Sequence, residues 1–424
     1  MSWQQQNYRW YKLDNAAKIY PAISQKNWNS TFRLSAALDE EICPETLVAA
    51  VNGLKLRFPT FFVQLRMGLF WYYFEPTISS EIVTLEHLYP CSPIEIGHSK
   101  LPIFRVLYYK NKISLELFHA AADGSGALVF LKSLIAHYLS LRGHDVDAAR
   151  WEIQDPRGKP LASESEDSFS RYYQKIGKAK RFEPKAYKYK PHCPVNENYL
   201  RIISGSMDAG KLRAVARSYG ATVTQYLAAL YIRSFMQIMP ADKLKRPVRI
   251  SIPVNLRKHF PSETLRNFSS YINVGVMPNP SYGITEILDE IIPQLKEGLE
   301  HDNLLRSFSQ NVAAEKNFAM RISPLFVKNI ALKLAFQAWG ESRYTSSLSN
   351  LGDVVLPESI SKHVKELGFV LGCSPQVLIN LAAITYNGRL TLSFSSRSSE
   401  SEVQAIFFKS LINEGIEVEV ESNE

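Results

Sequence analysis

The sequence predicts an α/β (α+β) protein built from mixed β-sheets flanked by helices. Three observations predict it. Strand-like runs alternate with runs of helical spacing in both halves of the chain. A polar, Pro-containing stretch without sustained periodicity, residues 145–198, separates those halves. The length, 424 residues, suffices for two ordinary domains or one bilobal unit.

In chain order, Ser30 to Leu38 reads as a strand, and Pro44, suited to a first helical turn, opens a helix from Glu45 to Leu56. Phe61 to Phe74 is rich in aromatic and β-branched residues and predicts a hairpin around Met67-Gly68. Ile103 to Tyr109 and Ile113 to His119 predict a second hairpin, turning at Lys110-Asn111-Lys112. Leu128, Leu131, Leu134, Ile135 and Tyr138 then recur at helical spacing, as a helix packed on a sheet requires. After the polar stretch come a strand from Tyr199 to Met207, a helix capped by Asp208 and another capped by Thr222. Val248, Ile250, Ile252, Val254 and Leu256 share one strand face; Arg249, Ser251, Asn255 and Arg257 share the other, which suits a polar cleft. Three helical stretches are expected from about Thr285 to Trp339. Asn387-Gly388 marks a hairpin between Leu378–Tyr386 and Leu390–Ser395, and Ser401 to Asn413 is a closing helix.

Composition bounds the function. Net charge is +8, which can attract nucleic acid, anionic lipid or a phosphorylated cofactor, or can be a solvated basic face. No nucleic-acid-binding motif is present, so no nucleic-acid partner is expected. Between Arg171 and Lys190 there are eight Lys or Arg and one acid; a solvated linker between lobes is the first reading, contact with cofactor phosphates the second. No apolar stretch reaches the roughly 20 residues of a membrane span, and the start of the chain lacks a secretory pattern. Cys43, Cys91, Cys193 and Cys373 are far apart and form no CxxC pair, so neither a metal site nor a disulfide framework is expected, and a cytoplasmic location is the simple expectation.

The most informative segment is His119-Ala-Ala-Ala-Asp123-Gly124. Ile113, Leu115, Leu117 and His119 share strand parity, which puts an imidazole on the inward face where the strand ends. Asp123 follows four residues later, and Gly124 permits a tight turn or leaves open space. The plain structural alternative is a core histidine followed by an aspartate that caps the next helix. There is no G-x-S-x-G elbow, H-E-x-x-H or P-loop in the chain.

This segment resembles the HxxxDG signature of the acyl-CoA-dependent acyltransferases of the chloramphenicol acetyltransferase-like superfamily. Further segments carry the resemblance: Trp10 to Tyr20, Lys211 to Ala229, Arg249 to Arg257, Asn267 to Gly275 and Ser349-Asn-Leu-Gly352, in the order and spacing of that group, from about Trp10 to about Phe408. The opening is most similar to bacterial alcohol acetyltransferases. Condensation domains of peptide synthetases usually carry two adjacent histidines, and Phe118 occupies the first of those positions here.

The resemblance implies two acyltransferase-like lobes, residues 1–144 and 199–424, joined by the crossover 145–198, with an active-site tunnel between them. It implies O-acyl transfer, most simply acetyl, from acyl-CoA to a small-molecule alcohol, with His119 as general base, no covalent intermediate and no tightly bound cofactor. Asp123 and Gly124 complete the catalytic motif. Arg257 is the expected structural partner of Asp123, and Ser349 and Asn350 are candidates for an oxyanion or channel role. The alternatives are transfer from an acyl carrier protein or to an amine, and a non-catalytic binding protein that keeps the fold.

Overall fold

A computed structural model describes residues 10–26, 28–77, 82–87, 89–97, 100–147, 152–176, 183–193, 195 and 199–424. The two-residue loop Lys110-Asn111 joins antiparallel strands Phe104–Tyr109 and Lys112–Phe118, with Lys110 in the left-handed region at φ 49°. Asn387 and Gly388, both at positive φ, join Ile379–Tyr386 to Arg389–Ser396, as their residue types predict. The hairpin of Val63–Met67 with Tyr72–Pro76 turns over Gly68 to Trp71, and Tyr11–Lys12 adds a third short strand to it.

That three-stranded antiparallel unit is a small sheet of its own; the other strands assemble into two mixed sheets. The five-stranded sheet runs Val364–Leu371, Thr31–Leu38, Lys112–Phe118, Phe104–Tyr109, Val83–Leu85; its last pair is parallel, the others antiparallel. The strand Val364–Leu371 comes from the second half of the chain and completes the sheet of the first. The seven-stranded sheet runs Ser269–Val276, Val248–Asn255, Ser346–Val354, Ile379–Tyr386, Arg389–Ser396, Arg201–Asp208, Glu419–Ser422. Ser346–Val354 is parallel to both of its neighbours.

Strand parity explains how two cores share one element. In Ile379–Tyr386 every residue is buried. Ile379, Leu381 and Ala383 belong to the core of the second lobe, whereas Ala382, Ile384 and Tyr386 belong to that of the first. Helices Pro44–Gly53 and Gly124–Leu141 cover the first sheet; Ala209–Ser218, Val223–Gln237, Ile284–Leu299, His301–Lys316 and Glu402–Asn413 accompany the second. Gly124–Leu141 is long and apolar enough by composition to cross a membrane, but most of it lies inside the first core, with Phe130, Leu134 and Ile135 fully buried.

The expected three helices before Trp339 are four: Ile284–Leu299, His301–Lys316, Phe318–Ile322 and Leu325–Ala335. The extra break has a local cause. Asn317 leaves helical geometry and its side chain accepts from the amides of Ala319 and Met320, and Pro324 then fixes an extended residue before the last helix. Parts of the crossover are tied to both lobes. The Gln154 amide donates to Ser133 Oγ on the first lobe, and the amides of Ala186 and Tyr187 donate to the carbonyls of Ser342 and Pro247 on the second. Lys178, Lys180 and Arg181 of its basic run lie outside the described residues.

Candidate active site

Lys112–Phe118 ends at Phe118, and the next residue is His119, whose amide donates to the Ser30 carbonyl. The imidazole is stacked on Tyr20, ring centroids 4.7 Å apart at 22°, and meets the edge of Phe32 at 5.1 Å. Desolvation by this enclosure pulls the His119 pKa below its ordinary 6.5. The ring is therefore neutral at neutral pH, as a proton acceptor must be.

Its tautomer follows from its partners. Asn267, buried, turns its amide nitrogen to Asp14 Oδ2 at 3.2 Å and to the Ala120 carbonyl at 3.4 Å, both acceptors. Its Oδ1 therefore faces His119 Nδ1, at 3.1 Å. An amide oxygen accepts only, so Nδ1 carries the hydrogen and Nε2 presents its lone pair. Asp14 is fully buried; it accepts from the Ala17 amide at 2.8 Å and lies 3.5 Å from an Arg266 guanidinium nitrogen. Burial, partly offset by Arg266, pushes its carboxyl up to about 6. Sequence reasoning did not single out Asp14, and it quoted Asn267 only as the first residue of a resembling segment.

Asp123 is both a helix cap and an ion-pair partner, so the structural and the motif readings of that residue hold together. Its Oδ1 accepts from the Gly126 amide at 3.1 Å, capping Gly124–Leu141. Its Oδ2 accepts from the Phe268 amide and from Arg257 Nη1, each at 2.8 Å. Arg257 lies in the short 3₁₀ turn just after Val248–Asn255 and also donates to the carbonyls of Thr264 and Arg266 at 2.9 and 2.6 Å. The expected pair is thus present, with every guanidinium nitrogen engaged. It ties the helix after the histidine loop to the segment that carries Asn267.

Gly124 is not at positive φ; its role is close approach. A Cβ there would stand 2.8 Å from Leu351 Cδ2, and one on Gly126 only 2.0 Å from the Leu265 carbonyl oxygen. The Ser349–Gly352 segment is thereby brought against the start of the Gly124–Leu141 helix. It lies within Ser346–Val354, not at a strand end, because the strand continues through a bulge between Asn350 and Asp353. The Asn350 side chain shapes that bulge. Its Oδ1 accepts from the Gly352 amide at 2.8 Å while Nδ2 donates to Thr224 Oγ1 at 3.1 Å. Ser349 is half-buried and paired in register with Ala382. Asn255 reaches across the lobes as well, donating to Ser125 Oγ at 3.0 Å.

A cavity of about 1470 Å³ is lined by Trp10, Lys12, Lys18, Phe70, Trp71 and Arg321 among others. His119 does not line it. The opening segment serves both, with Lys12 and Lys18 on the cavity and Tyr20 on the imidazole. The free cysteines are Cys43, Cys91, Cys193 and Cys373. The Lys188 ammonium in the crossover donates to the carbonyls of Glu341 and Tyr344 at 2.5 and 2.6 Å, and burial lowers its pKa to about 8.

No family model matches this chain, and no curated protein does. Solved structures match along nearly its whole length. The trichothecene 15-O-acetyltransferase TRI3 of Fusarium sporotrichioides is 11% identical over 96% of this chain and 97% of its own, with a TM-score of 0.61. TRI101 of the same fungus, solved with coenzyme A and T-2, is 12% identical over 94% and 97%, with a TM-score of 0.62. The first condensation domain of the calcium-dependent antibiotic synthetase is 13% identical over 96% of each chain, with a TM-score of 0.61. The protein has the two-lobed chloramphenicol acetyltransferase-like fold of these structures.

Proposed function

We propose that this protein is an O-acyltransferase that moves an acyl group, most simply acetyl, from acyl-CoA to an alcohol through a tunnel between the lobes. The observation that carries the reading is the imidazole of His119, held neutral by burial, with its hydrogen on Nδ1 and no hydrogen-bond partner at Nε2 among the described residues. A hydroxyl approaching Nε2 gives up its proton as its oxygen attacks the thioester carbonyl carbon. The carbonyl π electrons move onto oxygen. When they return, the carbon–sulfur bond breaks, and the thiolate takes the proton back from the imidazolium. No covalent bond to the enzyme is needed.

The remaining residues support this chemistry without exchanging protons. Asp123 and Arg257 fix the loop that aims the ring. Asn350 and Ser349 are the candidate oxyanion donors. An Asn amide has two N–H bonds, and the Thr224 contact engages one of them. The likeness in fold to a protein solved with coenzyme A supports a CoA thioester as donor. The condensation-domain likeness keeps a carrier-protein thioester as the second reading, against which Phe118 stands in the position of a first histidine.

The test is thiol release from acetyl-CoA with a panel of alcohols, for the wild type and His119→Ala. Alcohol-dependent release that the substitution abolishes supports the reading. Release that persists undiminished in a folded His119→Ala variant removes it.

A further inference from the structure

The Leu325–Ala335 helix is turned inside out. Leu325 and Lys328 face the protein, Lys328 with no exposed surface, while Phe326, Ile330 and Leu334 are 67%, 60% and 60% exposed. The buried ammonium is satisfied: it donates to the carbonyls of Phe70 and Arg321 at 2.8 and 3.3 Å and lies 3.8 Å over the Trp71 ring. The orientation is therefore fixed from the protein side and not a helix free to roll. Positions 326, 330 and 334 fall on one face at helical spacing. The preceding short helix, Phe318–Ile322, adds Phe318, 76% exposed, and the Leu325 amide donates to the Leu69 carbonyl at the adjoining hairpin tip, whose side chain is also exposed. Scattered exposed apolar residues are ordinary, but a contiguous face of this kind marks an interaction surface.

Charge selects the occupant. Lys316, Arg321 and Lys333 border the face and are exposed, and no Asp or Glu occurs in residues 317–340. Of the flanking acids, Glu315 is held by Lys18 and Glu341 is buried. A second copy laid on this face would bring cations against cations with no carboxylate of the segment between them. A surface that is apolar in the middle, cationic at the rim and poor in acid matches the interface of an anionic bilayer. We infer that this face docks the protein peripherally on anionic lipid membranes. An 11-residue helix is too short to span, so it lies in the plane of the interface with Lys333 and Arg321 reaching the headgroups. Arg321, Leu69 and Phe70 also line the large cavity, so the docked face carries the cavity's rim to the lipid.

Sedimentation with sucrose-loaded vesicles tests this. Wild-type protein should pellet with mixed phosphatidylcholine–phosphatidylglycerol vesicles, less with pure phosphatidylcholine, and less again at high salt. Phe326→Ser with Ile330→Ser should lower partitioning at least tenfold. Arg321→Gln and Lys333→Gln should each lower it on the order of fivefold. The substituted side chains are solvent-exposed, and the charge variants report even if the apolar pair does not fold. His119→Ala should pellet like the wild type, so vesicle binding is read independently of catalysis. Absence of pelleting, or pelleting unmoved by all of these changes, overturns the inference. A lipid-free dimer that Phe326→Ser with Ile330→Ser dissociates would instead assign the face to a second copy.

Discussion

Asn267 Oδ1 stands 3.1 Å from His119 Nδ1, with the Asn267 amide nitrogen committed to Asp14 and to the Ala120 carbonyl. One neutral amide thus decides which imidazole nitrogen carries the hydrogen. An amide, unlike a carboxylate, does so without setting a full negative charge against the ring, and its upward pull on the imidazole pKa is outweighed by burial.

That difference gives a pH test. The proposed reaction needs neutral His119, whose pKa is pulled below 6.5 by burial, so kcat/KM should fall on the acid side only at a pH lower than an ordinary histidine would give. Asn267→Asp places an anion against Nδ1–H, favours imidazolium, and should move that acid limb upward. Asn267→Ala should lower kcat by roughly tenfold or more while KM changes little. A purely structural role for Asn267 predicts no movement of the limb. For stability the sign runs with pH: below about 6.5 the unfolded chain binds a proton that folded His119 resists, so this group favours unfolding as pH falls towards its folded pKa.

His119→Ala should leave the fold intact and lower turnover by roughly 10²–10⁴. Circular dichroism together with thiol release checks both halves of the statement.

Asp123→Asn and Arg257→Ala should each lower stability as well as activity. Breaking a buried pair that is also hydrogen-bonded to the backbone costs about 3–5 kcal/mol. Denaturant titration of the two single variants and the double should show strong non-additivity; additive losses would mean that the residues do not act as a pair.

Gly126→Ala should be worse than Gly124→Ala. The first Cβ meets a backbone carbonyl at 2.0 Å, the second a leucine methyl at 2.8 Å that can rotate away. A loss of about 1–3 kcal/mol is expected at Gly126 and less at Gly124, read from thermal or denaturant unfolding.

Coenzyme A should bind with affinity that falls as salt rises, because its phosphates meet a chain of net charge +8. Calorimetry at low and high ionic strength checks this; no binding at either would favour a carrier-protein donor.

What the sequence made legible was whatever lies close along the chain. The alternation ending in His119, the cap at Asp123 and the Asn387-Gly388 turn are each contained in a few consecutive residues, where period and turn chemistry act. The pairing of Arg257 with Asp123 came from resemblance, and the structure brings the two together. Asp14 and Asn267 were not legible, because their roles exist only once residues 253 positions apart in sequence meet. The outward apolar face of Leu325–Ala335 was hidden for another reason: a helical pattern gives the two faces but not which one is turned to the protein, and here buried Lys328 reverses the usual choice.

The strand Val364–Leu371 also orders events during synthesis. It pairs with Thr31–Leu38, which is made long before it. At about 5–20 residues per second, the nascent first half waits on the order of tens of seconds with that edge unpaired. An open edge is a template for any passing strand. The amino-terminal lobe, although translated first, therefore cannot close its sheet until much of the second lobe has been made, and the ribosome-bound chain passes that interval exposed to misassociation.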